Sequence, residues 1–173
     1  MIEVFKTEEK VLSALADLIV VKAHDAIAKT ERFNFALSGG SSPKKLYELL
    51  ASEAYRNKIE WTKVFFFFGD ERYVPRDDAS SNYLMAEKAL FTPLKISSDQ
   101  VFEVKTELPP AEAAQDYEKR MLVHFGDPAC RFDLVLLGLG DNSHTASLFP
   151  FTTVLHEKHE LVKEIFVDEV GMF

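Results

Sequence analysis

The stretch FNFALSGGSSPKKLYELL (residues 33–50) decides the fold class, because it passes from a strand to a helix through one short turn. Its first six residues are mostly apolar and end at two glycines, which is typical of a strand. Ser42 is suited to cap the helix that follows, and Pro43 to its first turn, where a missing N–H costs nothing. A strand joined directly to a helix is the unit from which parallel α/β sheets are built.

The same alternation continues along the chain. The predicted strands are residues 2–5, 64–70, 101–104, 132–140 and 164–170, and the further helices are residues 8–29, 80–91 and 109–125. The near-continuous apolar runs at 64–70 and 132–140 are typical of strands covered by helices on both faces. The pattern predicts an α/β fold, a three-layer α/β/α sandwich around a parallel sheet, in a single domain spanning residues 1–173.

Composition excludes several classes of protein. The net charge is −8, from 28 acidic and 20 basic residues, so the chain lacks the basic surface that nucleic-acid binding demands. The single cysteine, Cys130, excludes an intrachain disulfide and is typical of a protein of the reducing cytosol. The N-terminus shows no targeting signal, and the apolar runs are too short to span a membrane. We therefore expect a soluble, cytoplasmic protein with no nucleic-acid and no membrane partner.

Three polar, glycine-bearing segments follow predicted strands. They are SGGSSP (residues 38–43), GDERYVP (69–75) and GLGDNSHTASLFP (138–150). In parallel α/β sheets, ligands bind beyond the carboxyl ends of the strands. We therefore expect the three segments to meet at one edge of the sheet and to form a small-molecule site there.

The first segment favours an anion. Gly39 and Gly40 allow close backbone approach, and Ser41 and Ser42 lie where the first N–H groups of a helix attract phosphate. The alternative is a plain turn with an N-cap. The segment matches neither a Walker A loop nor GxGxxG, so a nucleotide is not implied.

The other two segments carry side chains suited to chemistry. Arg72 can bind phosphate oxygens through its planar guanidinium, and Asp70 can order a side chain or a water; the alternative is a solvated loop with internal ion pairs. His144, beside glycines, can take a proton from water and return it; the alternative is a capping role. His156 and His159 lack the HExxH order of a zinc site, so a solvated face is expected there.

Taken together, the three segments resemble in order and spacing the motifs of the 6-phosphogluconolactonases, over essentially the whole chain. The resemblance implies a Rossmann-like, mostly parallel sheet and hydrolysis of 6-phospho-D-glucono-1,5-lactone to 6-phospho-D-gluconate in the pentose phosphate pathway. It implies that His144 is the general base and that Asp70 is an acid of the catalytic site. The implied phosphate- and substrate-binding residues are Gly39, Gly40, Ser41, Ser42, Arg72, Asn142 and Thr145.

The resemblance also implies the ligands and the assembly. No metal and no organic cofactor is expected, and the partner is a small-molecule sugar-phosphate lactone. We expect a monomer or a weak homodimer. The alternatives are the related glucosamine-6-phosphate isomerases and deaminases, which typically have a different segment after the histidine, and a non-catalytic sugar-phosphate sensor.

The chain departs from the family pattern in the segment before the histidine and in its length. Where the family has an acid two positions before the histidine, this chain has the neutral Asn142, so either Asp141 or Asn142 takes over that role. Ser143 replaces a glycine, and a positive φ there would carry strain. The chain also stops well before the family's usual end, so we expect a domain without the family's C-terminal part and with an open sheet edge or apolar face.

Overall fold

The computed structural model describes residues 2–126, 129–168, 171 and 173. Within these residues, the helices are α1 (Glu8–Thr30), α2 (Ser41–Ala51), α3 (Asn82–Ala86), α4 (Thr92–Leu94) and α5 (Pro110–Phe125), and the strands are β1 (Phe33–Leu37), β2 (Val64–Phe68) and β3 (Leu134–Val135). A π-helical segment (Glu87–Phe91) joins α3 to α4. None of the described helices combines the length and the apolar character needed to span a bilayer.

The three strands form one parallel sheet in the order β2–β1–β3. β1 pairs with β2 along its whole length, with Phe35 opposite Phe66, and pairs with β3 at two positions. Val101 forms a single parallel bridge to Phe66 on the outer side of β2. Because the strands are parallel, their carboxyl ends lie at the same edge of the sheet, where the three predicted site segments begin.

Side chains alternate between the two faces of the sheet and pack into two cores. On one face, Phe35 and Phe66 pack with α1, α2 and α3. On the other face, Ala36 and Phe67 pack against Tyr117 of α5. Helices therefore cover the sheet on both sides, and the predicted three-layer α/β/α sandwich is confirmed.

The first two helices begin with different caps. The Thr7 hydroxyl caps α1 by accepting the Lys10 N–H at 3.4 Å. In α2 the N-cap is Gly40, which has a φ of 107° and no side chain to cap with. The prediction that Ser42 is the N-cap is therefore wrong: glycine meets the positive φ that the turn requires, and the helix starts two residues earlier than predicted, at Ser41.

His124, near the end of α5, lies in an aromatic cluster on the α5 face of the sheet. Its ring lies 4.7 Å from Phe65 and 5.4 Å from Phe67, measured between centroids. Its Nε2 atom lies 2.8 Å from Oδ1 of the buried Asn34. Burial lowers the pKa of the His124 imidazole, and the nearby positive charge of Arg32 lowers it further.

Several predicted strands are wrong in extent. Residues 2–5 form no strand and pair with none of the described strands, and the side chains of Ile2 and Val4 are exposed. Only Val101 of the predicted strand 101–104 pairs with the sheet. Residues 164–166 are irregular, and residues 169 and 170 of that predicted strand lie outside the described residues.

The predicted buried strand at 132–140 is also wrong in extent. Among the described residues it pairs with β1 at Leu134 and Val135, and β3 lies at one end of the strand order. Its apolar side chains are therefore not covered on both faces: Leu137 is 63% exposed and Leu139 is 82% exposed.

Candidate active site

A direct hydrogen bond joins the second and third predicted segments. The Ser147 hydroxyl donates to Asp70 Oδ2 at 2.8 Å, across 77 residues of sequence. Asp70 follows β2, and Ser147 lies in the loop that follows β3. The carboxyl ends of these strands therefore bring both segments to one place, as the sequence predicts.

The buried side chain of Asn82 joins the first segment to the second. Its Nδ2 group donates to the Asp70 carbonyl at 3.0 Å and lies 3.5 Å from Asp70 Oδ1. Its Oδ1 atom lies so close to Gly39 that a Cβ on residue 39 would be only 2.0 Å away. Gly39 is therefore required by this contact, whereas Gly40 is required by its positive φ.

A side chain of α2 also fixes the residue before the glycine turn (Gly39 and Gly40). The Tyr47 hydroxyl donates to the Ser38 carbonyl at 2.8 Å and accepts the Ser38 N–H at 3.0 Å. Burial raises the pKa of the Tyr47 hydroxyl, so it keeps its proton at neutral pH. Ser41 and Ser42 are exposed residues at the start of α2, and the first N–H groups of a helix have no partner within the helix.

Glu71 folds its own loop onto the start of α3. Its carboxylate accepts backbone N–H groups from Arg72 at 2.7 Å, and from Asn82 and Tyr83 at 2.8 Å each. Burial raises the pKa of the Glu71 carboxyl, the three N–H groups oppose that shift, and the charge of Asp70 adds to it. The Arg72 side chain is exposed and makes no hydrogen bond or ion pair with the described residues, so its guanidinium can meet an anion.

The His144 ring is held in one orientation. Asn142 Oδ1 lies 2.6 Å from His144 Nδ1 and also accepts the His144 backbone N–H at 3.2 Å. Because a backbone N–H can only donate, the Asn142 atom that faces the ring is its oxygen, and the ring proton lies on Nδ1. In the neutral form of this ring the lone pair lies on Nε2, which makes no hydrogen bond to the described part of the chain.

Two neighbours set the plane of the His144 ring. Phe149 stacks on it with centroids 4.0 Å apart and an interplanar angle of 14°. On Gly140, an added Cβ would lie 2.1 Å from His144 Cε1, so only glycine leaves room for the ring there. Between them, Ser143 has a φ of 69°, which confirms the strained turn expected where serine replaces glycine.

A cavity of about 630 Å³ opens beside these groups. Its wall is mostly apolar and includes Asp70, Thr145 and Ser147. The Thr145 hydroxyl oxygen is buried and has no hydrogen-bond partner among the described residues. His144, Arg72 and the glycine turn are not part of the cavity wall, so Thr145 and Ser147 connect it to the His144 loop.

Among the described residues, no group of three or more histidine, cysteine, aspartate or glutamate side chains is arranged to hold a metal ion. His156 and His159 are both exposed, as the sequence predicts. The roles predicted for individual site residues stay predictions, because the chain is described without a ligand. What the geometry adds is their placement: Asp70, Gly39 and Ser147 are connected, and His144 lies three residues before Ser147.

The sequence of this chain matches known proteins over nearly its whole length. The family profile described as "Glucosamine-6-phosphate isomerases/6-phosphogluconolactonase" matches residues 6–169. The chain belongs to this family. Curated relatives named 6-phosphogluconolactonase include one from Nostoc sp., 40% identical over 93% of this chain and 67% of its own length. Another, from Homo sapiens, is 38% identical over 95% of this chain and 65% of its own length.

Family membership is also visible in the fold. A crystal structure of 6-phosphogluconolactonase from Thermotoga maritima superposes with a TM-score of 0.79 at 30% identity, covering 93% of this chain and 70% of that one. The chain spans between about half and two thirds of the length of the curated relatives it matches. The Rossmann-like, mostly parallel sheet that the resemblance implied is confirmed by this similarity.

Three residues of the site escaped the sequence prediction. Asn82 looks like an ordinary first residue of a helix, Glu71 like one charge of a solvated loop, and Ser147 like part of a turn. Each is connected to the site by a contact that spans ten or more residues of sequence. One signal was available: Ser81 and Asn82 follow GDER closely, and capping residues just after a charged loop can fold back onto it.

Proposed function

We propose that this protein hydrolyses 6-phospho-D-glucono-1,5-lactone to 6-phospho-D-gluconate. The relatives named 6-phosphogluconolactonase support the substrate. The observation that carries the chemistry is the His144 ring, whose Nδ1 is hydrogen-bonded to Asn142 and whose Nε2 makes no hydrogen bond to the described residues. A neutral imidazole with one free nitrogen is the group that general-base hydrolysis of an ester needs.

Binding of the phosphate group is assigned to the glycine turn and Arg72. The exposed N–H groups at Ser41 and Ser42 and the helix dipole of α2 favour a dianion, and the free guanidinium of Arg72 adds a charged donor. With the phosphate there, the lactone ring extends toward the His144 loop. Thr145, whose buried hydroxyl lacks a partner, and Asn142 are the predicted contacts to the substrate.

In the reaction, a water oxygen attacks C1 of the lactone while His144 Nε2 takes the proton of that water. The tetrahedral intermediate then collapses, the bond from C1 to the ring oxygen breaks, and the imidazolium returns its proton to that oxygen. The backbone N–H group of Asp141, in the turn before His144, stabilises the oxyanion, because those of Gly140 and Ser143 already donate to the carbonyls of His144 and Gly140. Asp70, held by Ser147 and Asn82, orders the water or a sugar hydroxyl. The products are a carboxylic acid, which ionises, and a free hydroxyl group.

Replacing His144 by alanine should lower kcat by roughly a hundredfold or more and leave KM nearly unchanged. The measurement is lactone hydrolysis by the 173-residue chain in a pH-stat, corrected for the spontaneous reaction. His159→Ala is the matched control, because that histidine is exposed and lies outside the three segments. A His144→Ala variant that keeps the parent rate contradicts the assignment of the base.

Two other results would replace the proposal. Release of ammonia from glucosamine-6-phosphate would favour the isomerase and deaminase branch of the family. Tight binding of 6-phospho-D-gluconate without lactone turnover would favour a sensor. We also propose a cytoplasmic location, a single domain over residues 1–173, and a monomer or weak homodimer, which cell fractionation, limited proteolysis and light scattering test.

A further inference from the structure

Asn82 is a buried polar residue that the proposed reaction does not use directly. It is the first residue of α3, and only 5% of its surface is exposed. Its backbone N–H is already satisfied by Glu71, so its side chain is not needed to cap the helix. Burying an amide side chain costs free energy unless its polar atoms are hydrogen-bonded. The contacts of the Asn82 amide therefore indicate why this residue is buried.

The amide of Asn82 lies between two of the three site segments. On one side, Nδ2 donates to the backbone carbonyl of Asp70. On the other side, the whole amide group lies against Gly39, within 2.0–2.8 Å of where a Cβ would be. Asp70 in turn accepts the Ser147 hydroxyl. One side chain therefore sets the separation between the glycine turn and the carboxylate.

We propose that Asn82 is a positioning residue that holds the glycine turn and Asp70 at a fixed distance. The phosphate group bound at the turn then places the lactone ring beside Asp70. This inference rests on the proposed function for its ligand, but not for its geometry. Only a short side chain with a donor suits the position. Aspartate would place a second carboxylate beside Asp70, and an apolar residue would leave the Asp70 carbonyl without this donor.

The geometric part is tested by a double-mutant cycle on the full chain. Gly39→Ala alone places a methyl group on the Asn82 amide and should lower the urea midpoint of unfolding. Asn82→Ala alone should lower it as well, because a buried hydrogen bond is lost. Together the two changes should lower the midpoint by less than their sum, since Asn82→Ala removes all three atoms that the new methyl group meets.

The functional part is tested by activity and binding. Asn82→Ala should lower kcat/KM for the lactone at least tenfold and weaken the binding of 6-phospho-D-gluconate, measured by calorimetry. The double variant should be more stable than the sum of the two single effects predicts. Its kcat/KM should nevertheless stay low, because the Asp70 carbonyl still lacks the Asn82 Nδ2 donor. A purely structural role would restore activity together with stability.

Ser81→Ala is the matched control. The Ser81 hydroxyl caps α3 by accepting the Leu84 N–H at 3.1 Å and donates to Glu71 Oε2 at 3.4 Å. Its loss therefore weakens the same helix and the same Glu71 loop, while the donor to the Asp70 carbonyl, Asn82 Nδ2, stays in place. Its kcat/KM should stay within about twofold of the parent value at a temperature where both are folded. If Ser81→Ala and Asn82→Ala lose activity in proportion to their lost stability, the positioning role is wrong.

The outcomes separate this inference from the proposed function. Additive midpoints in the cycle overturn the inference whatever the chain catalyses. A chain that neither hydrolyses the lactone nor binds 6-phospho-D-gluconate overturns the proposed function, and the cycle, which needs no ligand, then decides alone whether Asn82 holds the turn to Asp70. Loss of binding in Asn82→Ala but not in Ser81→Ala supports the inference even if turnover is slow.

Discussion

Replacing Gly140 by alanine should disable the proposed reaction by moving one ring. Gly140 does not occupy the left-handed region, so alanine meets no backbone obstacle there. Its Cβ would, however, lie 2.1 Å from Cε1, 2.3 Å from Nδ1 and 2.6 Å from Nε2 of His144. Ordinary contacts begin near 3.4 Å, so the ring must withdraw by more than about 1 Å.

A displacement of that size breaks the geometry on which general-base catalysis depends. A misplacement of about 1 Å can cost on the order of a hundredfold in rate, so kcat for the lactone should fall by about that factor. KM should change little, because the phosphate contacts lie on other segments. The bond from Nδ1 to Asn142 should also weaken, which changes the imidazole nitrogen chemical shifts in an NMR spectrum.

Gly138→Ala is the matched control in the same loop. A Cβ on residue 138 would meet only Ser38 Oγ at 3.9 Å, an ordinary contact, so this variant should keep the parent kcat within about twofold. A folded Gly140→Ala variant with the parent kcat would refute the reasoning, since the ring would not need its present place. An equal loss of kcat in both variants would also contradict the reasoning, because the displacement of the His144 ring would then not be the cause.

Replacing Glu71 by glutamine should lower the free energy of unfolding by about 1–2 kcal/mol, because one buried N–H loses its acceptor while relief of the buried charge offsets part of that loss. Urea unfolding measures this free energy. Glu157→Gln is the control, because Glu157 also accepts backbone N–H groups but lies in an exposed loop, and it should lower the free energy of unfolding by less. Equal effects of the two substitutions contradict the prediction. The pKa of His124 is lower in the folded protein than its ordinary value of 6.5, so the unfolded chain takes up a proton on this residue at a higher pH than the folded chain does. The free energy of unfolding should therefore decrease as the pH falls below 6.5. The loss of unfolding free energy between pH 7.5 and pH 5.5 should be smaller in His124→Gln, and an unchanged loss would show that His124 is not its source.

The sequence predicted the sandwich well where strands are central and helices amphipathic. β1, β2, α1 and α5 lie within two residues of their predicted bounds, because apolar runs and proline or glycine at the ends mark them clearly. The strand predicted at 132–140 shortens to two residues, since an apolar composition does not tell an edge strand from a central one. Residues 2–5 show the same limit, because an apolar run still needs a partner strand.

The meeting of the site segments was predictable, and the residues that hold them together were not. Parallel strands place their carboxyl ends together, so the approach of Asp70 to the His144 loop follows from topology. Asn142 was one of two candidates to replace the family's acid, and the geometry selects it as the partner of His144. Asn82 was missed because its role depends on a contact with Gly39, which no local pattern in the sequence encodes.

The hydrogen bond between Ser147 and Asp70 has a consequence for how the protein matures. It closes a loop of 77 residues, and the pairing of β1 with β3 joins positions about a hundred residues apart, so both form only after most of the chain has been synthesised and collapsed. Helices such as α1 need no such closure. Recovery of ligand binding after dilution from urea should therefore lag behind the return of the helical circular-dichroism signal, which makes the site a reporter of the last step of folding.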